Sequence, residues 1–324
     1  MANVLIIGFG SLGFRHAESL ISTPSDILEI HIVHPSEESK KKTEDLIVAN
    51  KSSIQIHYHE SINTIQNQIN FNLCIVATTA KPREKILLEI YNLLDIKYFL
   101  LEKVLFQSVS QTERCAKALR ESSERIWINC ARRSWPIYKK INEILINEKT
   151  INLTCHANKW NMASNSIHLI DLWCYLKNSN SFELSTTKLL PEIFESKRKG
   201  YYEFFGLLTA TSGQGEISLK ARNSDLPVDF IIVIKSENFK IIVNESKKQI
   251  RVEHIVSSEI EEESFNIPYQ SELTYHVYQE LISSGTSSLT SFNDSIEIHK
   301  NILAPLAIFF NTQLNSNSSI CPIT

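Results

Sequence analysis

"NVLIIGFGSLGFRH", residues 3 to 16, decides how the chain is read. An apolar run of strand type enters a glycine turn, and a helical pattern, "SLGFRHAESLI", leaves it. Gly8, Gly10 and Gly13 fit G-x-G-x-x-G, the turn that holds a dinucleotide when it lies between a first strand and a helix. The first glycine permits the tight turn, the second lets backbone approach a pyrophosphate, and the third lets helix pack on strand. The helix N-terminus then faces the phosphates. Three of only eight glycines in 324 residues fall within these six positions, so the cluster is not compositional drift. The loop residues Phe9, Ser11 and Leu12, with Arg15 on the first helical turn, belong to the same candidate cofactor surface.

Working outward, short apolar runs alternate with helical patterns. "EIHIV", "SIQIHY", "NLCIVATT", "KYFLL" and "RIWIN" are predicted strands, with helices between most of them. That alternation implies right-handed βαβ units and a doubly wound parallel sheet. Residues 1–125 are thus assigned to a dinucleotide-binding domain. Beyond them the pattern changes to strands that alternate apolar and polar residues between about 182 and 267, as a sheet with one wet face would. Residues 126–324 are assigned to a second, α+β domain with a large, mainly antiparallel open sheet, closed by two helices near 271–283 and 293–310. The tail "NTQLNSNSSICPIT" is polar and is expected to fray.

Composition excludes several classes. Net charge is −3, which leaves no basic excess to hold nucleic acid or an anionic membrane. No apolar run approaches the ~20 residues of a membrane span. No leader pattern opens the chain, and a cytoplasmic protein is expected. The six cysteines form no CxxC and are expected as reduced, buried thiols. The histidines show no paired spacing that suggests a metal site, and none is expected. There is no G-x-S-x-G elbow and no P-loop.

The acid that usually follows a dinucleotide turn by about 20 residues, to hold the adenine ribose, is replaced by His34 in "IVHPSEE". Ser36 and Lys40 to Lys42 suit a 2′-phosphate, whereas Glu37 and Glu38 oppose one. NAD and NADP both remain open. Ligands of an open parallel sheet lie at the carboxyl ends of its strands. Thr78 and Thr79 end one strand, and Glu102 and Lys103 end another. A charged pair directly after an apolar strand suits a crevice better than a core. In "WNMASNSIHLIDLWCYL", His168 lies near a helix start, with Asp171 three residues on as a candidate to orient its imidazole.

The order G-x-G-x-x-G-x-R-H, then E-K-hydrophobic, then tryptophan and a histidine followed by I-D-L resembles the Gfo/Idh/MocA oxidoreductases, named for glucose–fructose oxidoreductase and inositol dehydrogenase. The resemblance implies a Rossmann domain, NAD or NADP, and reversible conversion of a hydroxyl to a ketone on a sugar or sugar derivative. It also implies a homodimer or homotetramer built through the C-terminal sheet. It gives Lys103 a place beside nicotinamide and substrate, and gives His168 the role of proton acceptor. Trp160, Ser164, Asn165 and Arg198 complete the candidate substrate set. Two departures stand out. Val104 replaces the family's frequently cis proline, which would allow a differently shaped loop, and Ser164 replaces a substrate-contacting aspartate. Arg198, between Lys197 and Lys199, suits the carboxylate or phosphate of an acidic or nucleotide-activated sugar, such as one destined for surface glycans. An epimerase working by oxidation and reduction, and a non-catalytic nucleotide sensor with a decayed site, are the alternatives.

Overall fold

The computed structural model describes residues 2–23, 26–65 and 69–324. The chain divides into two compact units. The first comprises residues up to Phe106, then Glu113–Asn129 and Pro268–Asn293. Its strands are β1 (Ala2–Ile7), β2 (Ile27–Val33), β3 (Gln55–His59), β4 (Asn70–Val76), β5 (Asp95–Leu101) and β6 (Ile126–Ile128). They lie in the order β3-β2-β1-β4-β5-β6, all parallel. Helices α1 (Ser11–Ile21), α2 (Glu37–Ala49), α3 (Ala80–Leu93) and α4 (Val109–Ala118) follow β1, β2, β4 and β5 in sequence. Among the described residues of the β3–β4 connection, Ile62–Thr64 form a short 3-10 turn. The strand order reverses between β1 and β4, the point at which open α/β sheets take their ligands, beyond the carboxyl ends of the strands.

Every residue of β1 except Asn3 is buried, so the run "VLII" reads as an interior strand because both faces are covered. Ile30, Ile32, Ile6, Leu20 and Leu46 share one core cluster with Val277, Tyr278 and Leu281. Those last three come from α7 (Gln270–Ser284), in a segment the sequence assigns to the second domain. The difference has a packing cause. Ser19 Oγ accepts from Tyr275 N at 3.0 Å, and the α7 apolar face covers α1. Local pattern shows that α7 is amphipathic, but not which sheet it covers.

The second unit comprises Gln107–Thr112, Cys130–Ile267 and Asp294–Thr324. It contains α5 (Pro136–Leu145), β7 (Asn152–Asn158), α6 (Met162–Leu176), β8 (Glu183–Glu195), β9 (Tyr202–Ser212), β10 (Gly215–Arg222), β11 (Ile231–Lys235), β12 (Phe239–Asn244), β13 (Gln249–His254) and β14 (Ile260–Ser264). These strands form one sheet ordered β14-β13-β12-β11-β7-β10-β9-β8, antiparallel except where β7 meets β10. A short strand β15 (Thr290–Ser291) pairs with β6 in the first unit's sheet, and α8 (Phe292–Leu314) follows it.

Two features differ from the sequence expectation. β14 is an edge strand of sequence IEEES with every residue exposed, so no alternation announces it. Its charges blunt an open edge. The polar tail is docked, not frayed. Cys321 and Ile323 are buried, Cys321 N donates to Gln107 O at 2.6 Å, and Tyr202 N donates to Pro322 O at 2.9 Å. All six cysteines are free and buried. Among the described residues, no helix is long and apolar enough to cross a membrane.

Candidate active site

The first unit gathers most of the candidate cofactor residues at the carboxyl ends of β1, β2, β4 and β5. Gly8 has φ +92°, and a Cβ there would sit 3.0 Å from the Ala77 carbonyl carbon on the neighbouring strand. A Cβ on Gly13 would lie 2.0 Å from Gly8 O. Both glycines are therefore required by the turn itself. Gly10 differs: a Cβ there meets nothing within 4 Å, so its backbone is open to a ligand. Gly10 is also the N-cap of α1, where no side chain caps the helix and no acid occupies the first turn. The helix N-terminus thus presents backbone donors and a positive dipole end with no protein carboxylate competing for them. Ser11 is exposed beside it, Leu12 is half-buried, and Phe9 is buried in the core. Arg15 is exposed and pairs with Glu18 at 2.6 Å.

His34 closes β2. Its Nδ1 accepts from Ser36 N at 3.2 Å, and burial lowers its pKa. Ser36 caps α2, its hydroxyl oxygen accepting from Ser39 N at 3.2 Å. Lys42 pairs with Glu38 at 2.6 Å. Both Ser36 and Lys42, candidate phosphate ligands by sequence, thus have local structural partners.

The β4 and β5 ends are joined by an arginine that the sequence pattern does not announce. Arg83, fully buried in α3, donates to Thr78 O, to Val104 O and to Leu105 O, the last at 3.0 Å. Thr78 Oγ1 is shielded from solvent and has no hydrogen-bond partner among the described residues, as a group waiting for a ligand would be. Thr79 is the N-cap of α3. The Lys103–Val104 peptide is cis.

Glu102 is 3% exposed and His16 0%. Glu102 Oε1 lies 3.1 Å from His16 Nε2 and accepts from Asn129 Nδ2 at 2.6 Å. His16 Nδ1 reaches Thr274 Oγ1 on α7 at 2.8 Å. Burial opposes the charge on Glu102, but the hydrogen bonds from His16 and Asn129 outweigh it and hold the carboxyl below its ordinary pKa. The glutamate is thereby spent inside the protein, fixing the backbone from which the half-buried Lys103 emerges. The arrangement fits a dinucleotide: an open glycine, an uncapped helix end, an unpartnered threonine hydroxyl and a cation on a fixed strand end.

In the second unit His168 is half-buried on α6. Asp171 is 1% exposed, and its two carboxylate oxygens accept from Arg133 at 2.9 and 2.7 Å. Burial works against the Arg133 charge, and Asp171 raises its pKa overall. That ion pair, on which the sequence is silent, sets where the Asp171 carboxylate points.

Ser164 bonds Glu203, a 1% exposed residue of β9 that also accepts from Ala163 N at 2.7 Å. Glu203 therefore serves the N-terminus of α6, which its N-cap residue Asn161 does not cap with its own side chain. Asn165 Nδ2 donates to Trp160 O at 2.9 Å, and Trp160 Nε1 to Lys220 O at 3.1 Å. Three of the five candidate substrate residues of this unit thus spend polar groups internally. Arg198 is exposed in the β8–β9 loop.

The model of the oxidoreductase family with an NAD-binding Rossmann fold, GFO_IDH_MocA, matches residues 2–130. No curated protein matches the chain. Among solved structures, a Gfo/Idh/MocA family oxidoreductase from Vibrio cholerae aligns with TM-score 0.70 at 11% identity, covering 98% of this chain and 100% of that one. UDP-N-acetylglucosamine 3-dehydrogenase from Acidithiobacillus ferrooxidans aligns with TM-score 0.69 at 11% identity over 97% of each chain. Biliverdin reductase from Synechocystis, solved with biliverdin and NADP+, aligns with TM-score 0.68 at 12% identity over 95% of this chain and 98% of that one. Residues 2–130 thus match the model of Gfo/Idh/MocA oxidoreductases with an NAD-binding Rossmann fold, and the solved structures share the fold over nearly the whole chain.

Proposed function

We propose that the protein interconverts a hydroxyl and a ketone on a sugar derivative, with an acidic or nucleotide-activated sugar as the substrate class. The observation that carries this reading is the fixed strand end at Glu102–Lys103, held by His16 and Asn129 on one side and by Arg83 on the other. A bound nicotinamide supplies or accepts the hydride. The chain's own residues hold the nucleotide and handle the proton. The α1 N-terminus and Gly10 receive the pyrophosphate. Lys103 Nζ positions the substrate oxygen and favours its deprotonated form. His168 takes the hydroxyl proton on its imidazole during oxidation and returns it during reduction. Exposed Arg198, between Lys197 and Lys199, supplies charge for a phosphate or carboxylate. The sugar-nucleotide dehydrogenase named above supports that substrate class.

Lys103→Ala and His168→Ala should each abolish turnover while nucleotide affinity stays within a few-fold of wild type. Nicotinamide absorbance with a panel of sugars and sugar nucleotides reads this, guided by mass spectrometry of co-purifying small molecules. Unchanged turnover in either variant removes that residue from the mechanism. A second reading, a nucleotide sensor without catalysis, is favoured by one observation: Trp160, Ser164 and Asn165 are engaged within the protein. It predicts nucleotide binding with no redox change across the whole panel.

A further inference from the structure

A cluster of imidazoles lies on the β2–β3 edge of the parallel sheet, on residues with no part in the redox reading. β2 and β3 pair in parallel with His31 opposite His57 and Val33 opposite His59. Side chains alternate faces along a strand. Glu29, His31, His57 and His59 therefore share one face, while Ile30 and Ile32 turn to the other and enter the core. The rings of His57 and His59 stack on His31, with centroids 4.6 and 5.1 Å away.

We propose that Glu29, His31 and His57 bind one divalent transition-metal ion of the zinc type. One donor atom from each residue lies within 4.8 Å of the others. Glu29 Oε2 is 3.0 Å from His31 Nε2 and 3.9 Å from His57 Nε2. His57 Nε2 is shielded from solvent and has no hydrogen-bond partner among the described residues. A buried polar nitrogen left unsatisfied beside a carboxylate calls for a ligand, and a cation meets both groups at once.

The surroundings suit that role. His31 Nδ1 lies 2.9 Å from His59 Nε2, and His59 Nδ1 lies 3.4 Å from Thr64 Oγ1. Without an ion His31 Nε2 hydrogen-bonds Glu29 Oε2; an ion between them would replace that bond, the ring proton then lying on His31 Nδ1, donated to His59 Nε2, and the Nε2 lone pair pointing at the ion. Ligating histidines commonly donate their other nitrogen to such a partner, which fixes ring and tautomer. Two imidazoles and one carboxylate match the preferences of zinc and leave a coordination position open. The His57 and Glu29 side chains are 40% and 34% exposed, which gives an ion a way in.

The test uses the full chain, stripped with a chelator and dialysed. Zn²⁺ is titrated against a chromophoric zinc indicator, and thermal melting is followed with and without Zn²⁺. One equivalent should bind wild type and raise its melting temperature. His57→Ala and Glu29→Ala should each weaken binding at least ~10-fold and remove the thermal shift, and His59→Gln should weaken it ~10–100-fold through the lost partner bond. His57 is partly exposed, so its metal-free variant should melt near wild type, which separates metal loss from misfolding. His276→Ala, an exposed histidine on α7, should change nothing. Absence of stoichiometric binding to wild type, or equal binding by the His57→Ala and His276→Ala variants, overturns the proposal and leaves an imidazole–carboxylate ladder of purely structural role.

Discussion

His16 Nε2 and Glu102 Oε1 lie 3.1 Å apart in the interior of the first unit, and this contact ties the helix after the glycine turn to the strand end that carries Lys103. Two sequence elements 86 residues apart are one structural object. Removing one partner leaves the other buried and unpaired, which costs about 3–5 kcal/mol in such sites. Glu102→Ala should therefore destabilise the N-terminal unit by about that amount. Glu102→Gln, which keeps an acceptor for Asn129, should cost less. Urea melts of the two variants check the order, and equal stability of wild type and Glu102→Ala would contradict the account.

The two inner glycines of the turn should fail differently. Gly13→Ala places a methyl 2.0 Å from Gly8 O, so both melting temperature and nucleotide affinity should fall. Gly10→Ala meets no protein atom within 4 Å. Its stability should stay within about 1 kcal/mol of wild type, while nucleotide affinity drops ~10-fold or more because the methyl occupies the approach of the pyrophosphate. Dye-monitored melting and nicotinamide nucleotide titration separate the two effects. Normal binding by Gly10→Ala would move the pyrophosphate away from this turn.

Stability should depend on pH through one buried and two half-buried histidines. Burial lowers the pKa of His31, His34 and His59 from 6.5 in the folded chain. The unfolded chain therefore binds protons first as pH falls, and the folded state loses stability below about pH 6.5 until the folded-state values are reached. Above that pH these groups contribute no slope. Glu102 acts at lower pH: its depressed pKa adds stability above the ordinary carboxylate range, and that stability is lost as pH falls through its folded value. Urea melts in chelator-containing buffer should give equal stability at about pH 7 and 8 and a decline toward about pH 5. His59→Gln should flatten that decline. A stability that rises between about pH 7 and 5.5 is the contrary outcome.

Much of the first unit was legible because its signals are local. β1, the glycine turn and α1 follow one another within twenty residues, 2–21, and the alternation of apolar runs with helices specified parallel strands. The sequence by itself determined the doubly wound sheet, the mainly antiparallel second sheet, the placement of Gly8, Gly10, Thr78 and Lys103 just beyond strand ends, and that of Gly13 in the first turn of α1. Tertiary structure decided what each polar group does there. Glu102, Ser164 and Asp171 look available in the sequence, but His16, Glu203 and Arg133 come from distant segments to engage them. α7 joins the first unit because its apolar face matches α1, a fact of packing that no local pattern carries. His31 and His57 show no metal spacing along the chain. The parallel register of β2 and β3 sets them side by side, because hydrogen-bonded strands bring together residues that the sequence keeps 26 positions apart.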